Sequence, residues 1–469
     1  MSDMNAQPLE VTAPFDGAVI ARLPRMNAQQ AEAALATAYA LYRDRNAWLP
    51  KARRIEILRN AAKIISGRAE ELALQAAREG GKPLIDSRVE IARAIDGIEV
   101  CIETLRTHGG NVIPMGVNAA SAGHLAFTQY EPIGVVAAVS AFNHPFNLIV
   151  HQVGPAVAAG CPVLVKPASA TPLSCIAYVE ILHEAGLPKP WCQVMLTETN
   201  AIATKIVTDK RIGFFSFIGS GAVGWGLRAQ LAPGTRCALE HGGAAPVIVA
   251  ADADLAANLP RLAKGGFYHA GQVCVSVQRI YAHSSIAESV AQELGRLGNA
   301  MKVGDPTRAD TEIGPLINHG ECDRVHGWVR DSVAGGAKLI SGGEKISASC
   351  YPPTVLFNPP ESAKVSQSEI FGPVICVYSY TDIDKAIARA NALPVSFQAA
   401  VFTRDLDTAL RVYSRIDATA VMVNDHTAFR VDWMPFAGAR ESGHGVGGIP
   451  HTIHDMQIEK MMVIRSSEL

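Results

Sequence analysis

Residues Pro132 to Val165 read PIGVVAAVSAFNHPFNLIVHQVGPAVAAGCPVLV, and this stretch decides the fold. Ile133 to Val139 is an apolar run of strand length, Leu148 to Ala159 an apolar run of helix length, and Pro162 to Val165 a second short strand. The stretch holds no Asp, Glu, Lys or Arg, yet Asn143, His144, Pro145, Asn147, His151 and Gln152 interrupt it. No uninterrupted apolar run therefore approaches the roughly 18 residues that a membrane span needs. A strand, a loop, a buried helix and another strand is the unit of a parallel sheet covered on both faces.

The same rhythm continues toward the carboxyl end. Pro172 opens a helix at the position where a missing N–H costs least. Trp191 to Leu196, Ile202 to Val207, Gly213 to Ile218 and Ala222 to Gln230 extend the alternation, which predicts a doubly wound α/β sheet. Pro246 to Val249 starts a second α/β run that extends to about Asn424. Toward the amino end the pattern is helical. Asn27 reads as an N-cap for a helix to about Tyr42, followed by Arg53 to Gly67, Ala69 to Arg78 and Arg88 to Thr107. Between these regions, Asn111 to Tyr130 mixes strand-like pieces with polar residues and reads as an arm. The strand-like Gln457 to Ile464 is its candidate partner, in this chain or in a neighbouring subunit.

The bulk numbers exclude several classes. The chain has 469 residues, 48% hydrophobic and 18% charged, with net charge −2, as a globular protein of about three domains would. Neither nucleic acid nor an anionic membrane is an expected partner at that charge. Nine cysteines without a C-x-x-C pair argue against a disulfide framework and for a reducing, cytoplasmic setting. Met1 to Glu10 is polar and does not resemble a signal peptide.

Several short stretches carry chemistry. Gly271-Gln272-Val273-Cys274-Val275-Ser276 places one thiol among small and apolar neighbours, ahead of a strand from Gln278 to His283. Buried, inert packing is the alternative for any such thiol. Leu239-Glu240-His241-Gly242-Gly243 ends an apolar strand with a carboxylate; a thiol and a carboxylate together make a covalent-catalysis pair. Ile218-Gly219-Ser220-Gly221 runs from strand to helix, where free N–H groups can meet a phosphate. Lys166 ends a strand at the edge where doubly wound sheets bind ligands. Asn143, in an apolar loop, offers an amide NH₂ to a developing oxyanion, unless it bonds only local backbone.

Taken together and in order, Asn143, Lys166, Gly219-Ser220, Glu240-His241-Gly242-Gly243, Gly271-Gln272-Val273-Cys274, Glu369-Ile370-Phe371-Gly372-Pro373 and Pro435-Phe436-Ala437-Gly438 with Ser442-Gly443 resemble the aldehyde dehydrogenase superfamily, from about residue 12 to 464. The resemblance implies NAD or NADP as cofactor and a small-molecule aldehyde as substrate, with no metal. It casts Cys274 as nucleophile, Asn143 and the Cys274 N–H as oxyanion donors, and Glu240 as the base for thioester hydrolysis. Glu369 and Phe371 would contact the nicotinamide ribose and ring, Lys166 the adenosine ribose, and Gly219 and Ser220 the pyrophosphate. It also implies a Rossmann-like cofactor domain (1–110 and 131–243), an α/β catalytic domain (244–428) and a small β oligomerisation arm (111–130 and 445–469), in a homodimer or homotetramer.

Four positions depart from the family's usual pattern. Ser169 stands where a glutamate normally accepts hydrogen bonds from the ribose hydroxyls and repels a 2′-phosphate, so NADP should be accepted. His241 replaces a leucine and either tunes Glu240 or fills a core gap; Ile218 replaces a threonine and Ala437 a glycine. Phe429-Arg430-Val431-Asp432 looks most like the branch handling lactaldehyde, glyceraldehyde 3-phosphate, sulfolactaldehyde and phosphonoacetaldehyde, with succinate semialdehyde open. Arg430 and His144 are its substrate candidates, since a guanidinium fork suits an anionic tail; a salt bridge from Arg430 to Asp432 is the alternative. Arg93 and Arg279 are weaker candidates, His426 would narrow the pocket, and Phe429 and Trp433 would suit an aromatic or neutral aliphatic aldehyde. Glu240 argues against a coenzyme A-acylating enzyme. The intact catalytic set argues against a silent binding protein on the same fold.

Overall fold

The computed structural model describes residues 7–469; the start of the polar amino terminus, residues 1–6, lies outside them. At the centre of a six-stranded sheet is Val135–Val139, whose side chains alternate between two cores. Val136 and Ala138 pack under helices Lys51–Gly67, Leu84–Thr107, Asn147–Ala159 and Pro172–Glu184, while Val135 and Ala137 pack under Ala28–Arg43 and Asn200–Val207. Burial on both faces explains why the strand carries no polar alternation. The chain moves outward one way through Val163–Lys166 and Cys192–Val194, then returns to the other side of Val135–Val139 with Ile212–Ile218 and Arg236–Glu240. All five strands are parallel, and Gly443–His444 closes the edge antiparallel to Arg236–Glu240.

A second sheet of seven strands is built the same way around Pro246–Val249, with Arg279–His283 and Val374–Tyr380 on one side and Gln398–Phe402 and Ala420–Val423 on the other. Arg236–Glu240 feeds almost directly into Pro246–Val249. The carboxyl edge of the first sheet therefore meets loops at the amino edge of the second.

The predicted arm forms a three-stranded sheet. Gln457–Arg465 pairs antiparallel with His124–Pro132 over nine residues, from Gln457 opposite Pro132 to Arg465 opposite His124. Asn27 is an N-cap as expected: its side chain accepts from Gln30 N at 2.9 Å, and the Gln30 side chain accepts from Asn27 N at 2.9 Å. The helices expected from Asn27 to Thr107 are present, and a short hairpin precedes them. Leu9–Thr12 and Val19–Leu23 form a hairpin whose short strands carry too little periodicity to be read alone.

Candidate active site

A cavity of about 700 Å³ lies where the two sheets meet. Its floor comes from the carboxyl ends of Val135–Val139, Ile212–Ile218 and Arg236–Glu240, the first two being neighbours from which the chain departs in opposite directions. Such a switch point leaves a crevice between diverging loops. The second sheet supplies the loops before Arg279–His283 and Val374–Tyr380. Asn143, His144, Gly219, Ser220, Glu240, Cys274, Glu369, Phe371 and Arg430 all line this cavity. Lys166 and Ser169 line a separate cavity of about 230 Å³ together with Arg25 and Glu198.

Backbone geometry prepares the thiol. His269, Ala270 and Gly271 are all left-handed, with φ of +50°, +52° and +67°. A side chain at Gly271 would collide with the Gly372 carbonyl, so glycine is required there. The two non-glycine residues carry strain on the order of 1 kcal/mol each. Gln272 holds the loop down. It is buried, its Oε1 accepts from Ile317 N at 2.9 Å, and its Nε2 donates to the carbonyls of His269 (3.3 Å) and Pro315 (3.2 Å). Its own carbonyl accepts from Asn143 Nδ2 at 2.9 Å, which aims that amide at the Cys274 loop.

Electrostatics favour the protonated forms. Burial, Glu369 and Glu240 push the Cys274 thiol up to about 12, against the pull of Arg430 and of the residue's own N–H. Burial also raises Glu240, with Arg430 opposing. Burial raises Glu369 to about 8, opposed by a hydrogen bond from the Gly243 backbone and by Arg324. Glycines make room for both carboxylates: a side chain at Gly242 would occupy the space of Glu369, and one at Gly447 that of Glu240.

The cavity fits a dinucleotide. Glu369 Oε1 is buried without a partner, as an acceptor waiting for hydroxyl donors would be. Ser220 precedes helix Gly221–Arg228 without a side-chain cap, so the first N–H groups of the helix face the cavity. Phe371, at φ +48°, packs edge-on against Phe142 with ring centroids 5.8 Å apart. Among the described residues no group of three His, Cys, Asp or Glu could hold a metal, and no helix is long and apolar enough to cross a membrane.

Several sequence candidates fall elsewhere. Arg430 is not bridged to Asp432, which pairs with Arg93 and His151. Arg279 is buried in the second sheet, donating to the carbonyls of Ala244 and Ala390 and to Tyr281 Oη, and is no substrate contact. His426 packs on Gly265 and accepts from Ala428 N, while Phe429 and Trp433 are 43% and 54% exposed; none of the three lines the cavity. His241 fills the gap that Gly224 leaves beside Phe217, with Nδ1 2.9 Å from the Gly219 carbonyl. It fills a core gap and steadies the Gly219 turn while bordering the cavity.

Sequence reasoning missed the buried carboxylates behind the loops. Glu90 pairs with Lys82 at 2.8 Å and accepts from Phe146 N and Asn147 N, fixing the loop that carries Asn143. Glu79 does the same for helix Pro172–Glu184 through Leu173 N and Ser174 N. Gln278 accepts from Ile370 N at 2.9 Å and so sets Glu369 and Phe371. A charged residue on the apolar face of a helix was the only available signal.

Residues 1–462 match the model of the aldehyde dehydrogenase family. The chain is 37% identical to a 3-sulfolactaldehyde dehydrogenase of Priestia aryabhattai over 88% of this chain and 86% of that protein. Among solved structures it resembles aldehyde dehydrogenase 21 of Physcomitrella patens in complex with the reaction product succinate (TM-score 0.94, 34% identity, 99% of this chain and 96% of that one). It also resembles glyceraldehyde-3-phosphate dehydrogenase of Methanocaldococcus jannaschii complexed with NADP (TM-score 0.92, 31% identity, 99% and 100%).

Proposed function

Because the chain belongs to the aldehyde dehydrogenase family and so couples aldehyde oxidation to NAD or NADP, we propose that it converts a small aldehyde with an anionic or oxygenated tail to its carboxylate through a thioester on Cys274. The observation that carries this reading is Arg430. Its guanidinium lies 3.5 Å over the Phe436 ring, its Nε is buried without a partner, and it lines the same cavity as the thiol. A buried, unpaired cation is costly unless an anion arrives.

The residues divide the work as follows. Cys274 attacks the aldehyde carbon once its proton has left. Asn143 Nδ2 exchanges the Gln272 carbonyl for the new oxyanion, joined by the Cys274 N–H. A nicotinamide cofactor held by Gly219, Ser220, Glu369 and Phe371 would accept the hydride from the substrate carbon. Glu240 then takes a proton from the water that cleaves the thioester. An aldehyde panel (aliphatic, aromatic, carboxylated, phosphorylated, sulfonated) with Arg430→Ala alongside tests the substrate reading. Anionic aldehydes should lead, and Arg430→Ala should raise KM for them alone. A lead for neutral or aromatic aldehydes, unchanged by the substitution, would make Arg430 structural.

Ser169 supports acceptance of NADP, because Lys166 and Arg25 share its cavity and no carboxylate stands at position 169 itself. Ser169→Glu should lower the ratio of NADP to NAD efficiency about tenfold through charge repulsion. An unchanged ratio in steady-state assays would remove the residue from cofactor choice. The same reading includes a cytoplasmic homodimer or homotetramer. Nine free thiols suit a reducing compartment, and the edge strand Gln457–Arg465 leaves Met461, Met462 and Val463 exposed for a second copy to cover.

A further inference from the structure

Two side chains grip the loop of the thiol, one on each side of it. Gln272 holds the amino side through Ile317, His269 and Pro315. On the carboxyl side the grip is Thr427. It is fully buried, and its hydroxyl donates to the Val275 carbonyl at 2.7 Å. A buried carbonyl needs a donor, and no backbone N–H supplies one here. Among the described residues no other side chain is hydrogen-bonded to the backbone of residues 273–275.

Packing joins the same two segments. Val273 and Val275, on either side of Cys274, form a small core with Phe397 and Phe436, against which Ala428 and Tyr268 pack. It is separate from the three large cores of the molecule. The Phe397 and Phe436 rings meet edge-on with centroids 4.6 Å apart. Phe436 in turn carries the Arg430 guanidinium on its face and exchanges two backbone hydrogen bonds with Gly447, at 3.0 and 2.7 Å, beside Glu240. The residues flanking the thiol therefore rest on the segment that bears Arg430, and Thr427, three positions before that arginine, is its polar tie.

We propose that Thr427 is a positioning residue for Cys274: through the Val275 carbonyl it fixes the thiol in the orientation that attack on the aldehyde requires. The inference rests on the reading of Cys274 as nucleophile and adds the group that aims it. Apolar contact is non-directional, so the small core keeps the loop in place without setting its rotation. Hydrogen bonds are directional, and Gln272 and Thr427 supply one grip on each side. A misplacement of about 1 Å can slow a reaction by about 10²-fold. Thr427 does not line the cavity, so its loss should slow every aldehyde alike.

The test measures a single turnover, with enzyme in excess over aldehyde and cofactor saturating, followed by the absorbance of the reduced nicotinamide. Raising the enzyme until the rate constant stops changing makes that constant independent of the folded fraction, which a merely structural role would move. Thr427→Val keeps the shape and removes the hydroxyl, whereas Thr427→Ser keeps the hydroxyl. With the two best substrates of the aldehyde panel that differ in tail, Thr427→Val should be slower than wild type by about tenfold or more. Thr427→Ser should stay near wild type. A Thr427→Val rate constant near wild type would overturn the proposal. So would an equal loss in Thr427→Ser, which would move the effect from the hydrogen bond to the methyl group, or a loss confined to one tail, which would place Thr427 in tail recognition. If Cys274→Ala itself turns over at close to the wild-type rate, the thioester reading falls and takes the proposal with it, a result no Thr427 variant can imitate. Thr427→Ala, which also lacks the hydroxyl, replaces Thr427→Val should the latter not fold.

Discussion

Cys274→Ala should lower kcat by at least about 10⁴-fold, the scale of removing a covalent nucleophile, while cofactor affinity and Tm stay near wild type. Among the described residues Cys274 is the only cysteine lining the cavity that holds Asn143 and Glu240. Seven of the others are buried, and Cys237 is half-buried away from the site, so none can substitute. The thiol, pushed up to about 12 by burial, Glu369 and Glu240, rests protonated at neutral pH. Activity should therefore rise with pH, because the fraction of enzyme with a deprotonated nucleophile grows as pH approaches that value. Steady-state kinetics, cofactor titration and mass-spectrometric mapping of iodoacetamide labelling check the set together. A variant within tenfold of wild type, or labelling that maps elsewhere, would remove Cys274 from the chemistry.

That site was legible because its residues occupy the ends of strands that announce themselves. Val135–Val139 and Ile212–Ile218 are apolar enough to be read from composition, and a strand's end locates Asn143, Gly219 and Glu240 without further information. The strand Gln457–Arg465 was legible from its run of apolar residues, Met461 to Ile464, and of the two partners left open it takes the one in its own chain, His124–Pro132. What could not be read is pairing across the chain. Arg430 and Asp432 are two residues apart and were natural partners on paper. In space Asp432 reaches Arg93, 339 positions away, and leaves Arg430 to His151. Glu90 and Glu79 sit on helices whose pattern promises only burial; their partners, the amides of residues 146–147 and 173–174, appear only once the helices dock. Arg279 erred the opposite way: its guanidinium suited an anionic tail on paper, but its strand carries it into the core. Sequence distance is a poor guide wherever a buried polar group must find a partner.

Glu240→Gln should separate the two halves of the reaction. Its carboxylate sits at the end of Arg236–Glu240, with its own carbonyl bonded by Gly219 N at 3.0 Å, its strand neighbour Gly443, and the bare backbone of Gly447 beside its side chain. The position is rigid, and glutamine is isosteric, so the fold should be unaffected. If the residue's task is to activate water, the first turnover should still release about one equivalent of reduced cofactor per site, and the following steady rate should fall by roughly 10²–10⁴, the usual contribution of a general base. The pH dependence supplies a second readout. Burial raises the pKa of Glu240, and only its deprotonated form can take a proton from water. The hydrolytic rate should therefore climb as pH rises through a value above the ordinary carboxylate range, and that limb should vanish in the variant. A small nucleophile such as hydroxylamine, which needs no base to attack a thioester, should restore turnover. Were the burst lost as well, with an unaided thiol as slow as in Cys274→Ala, Glu240 would belong to thiol activation. The charge that raises Cys274 would then also be the group that relieves it of its proton.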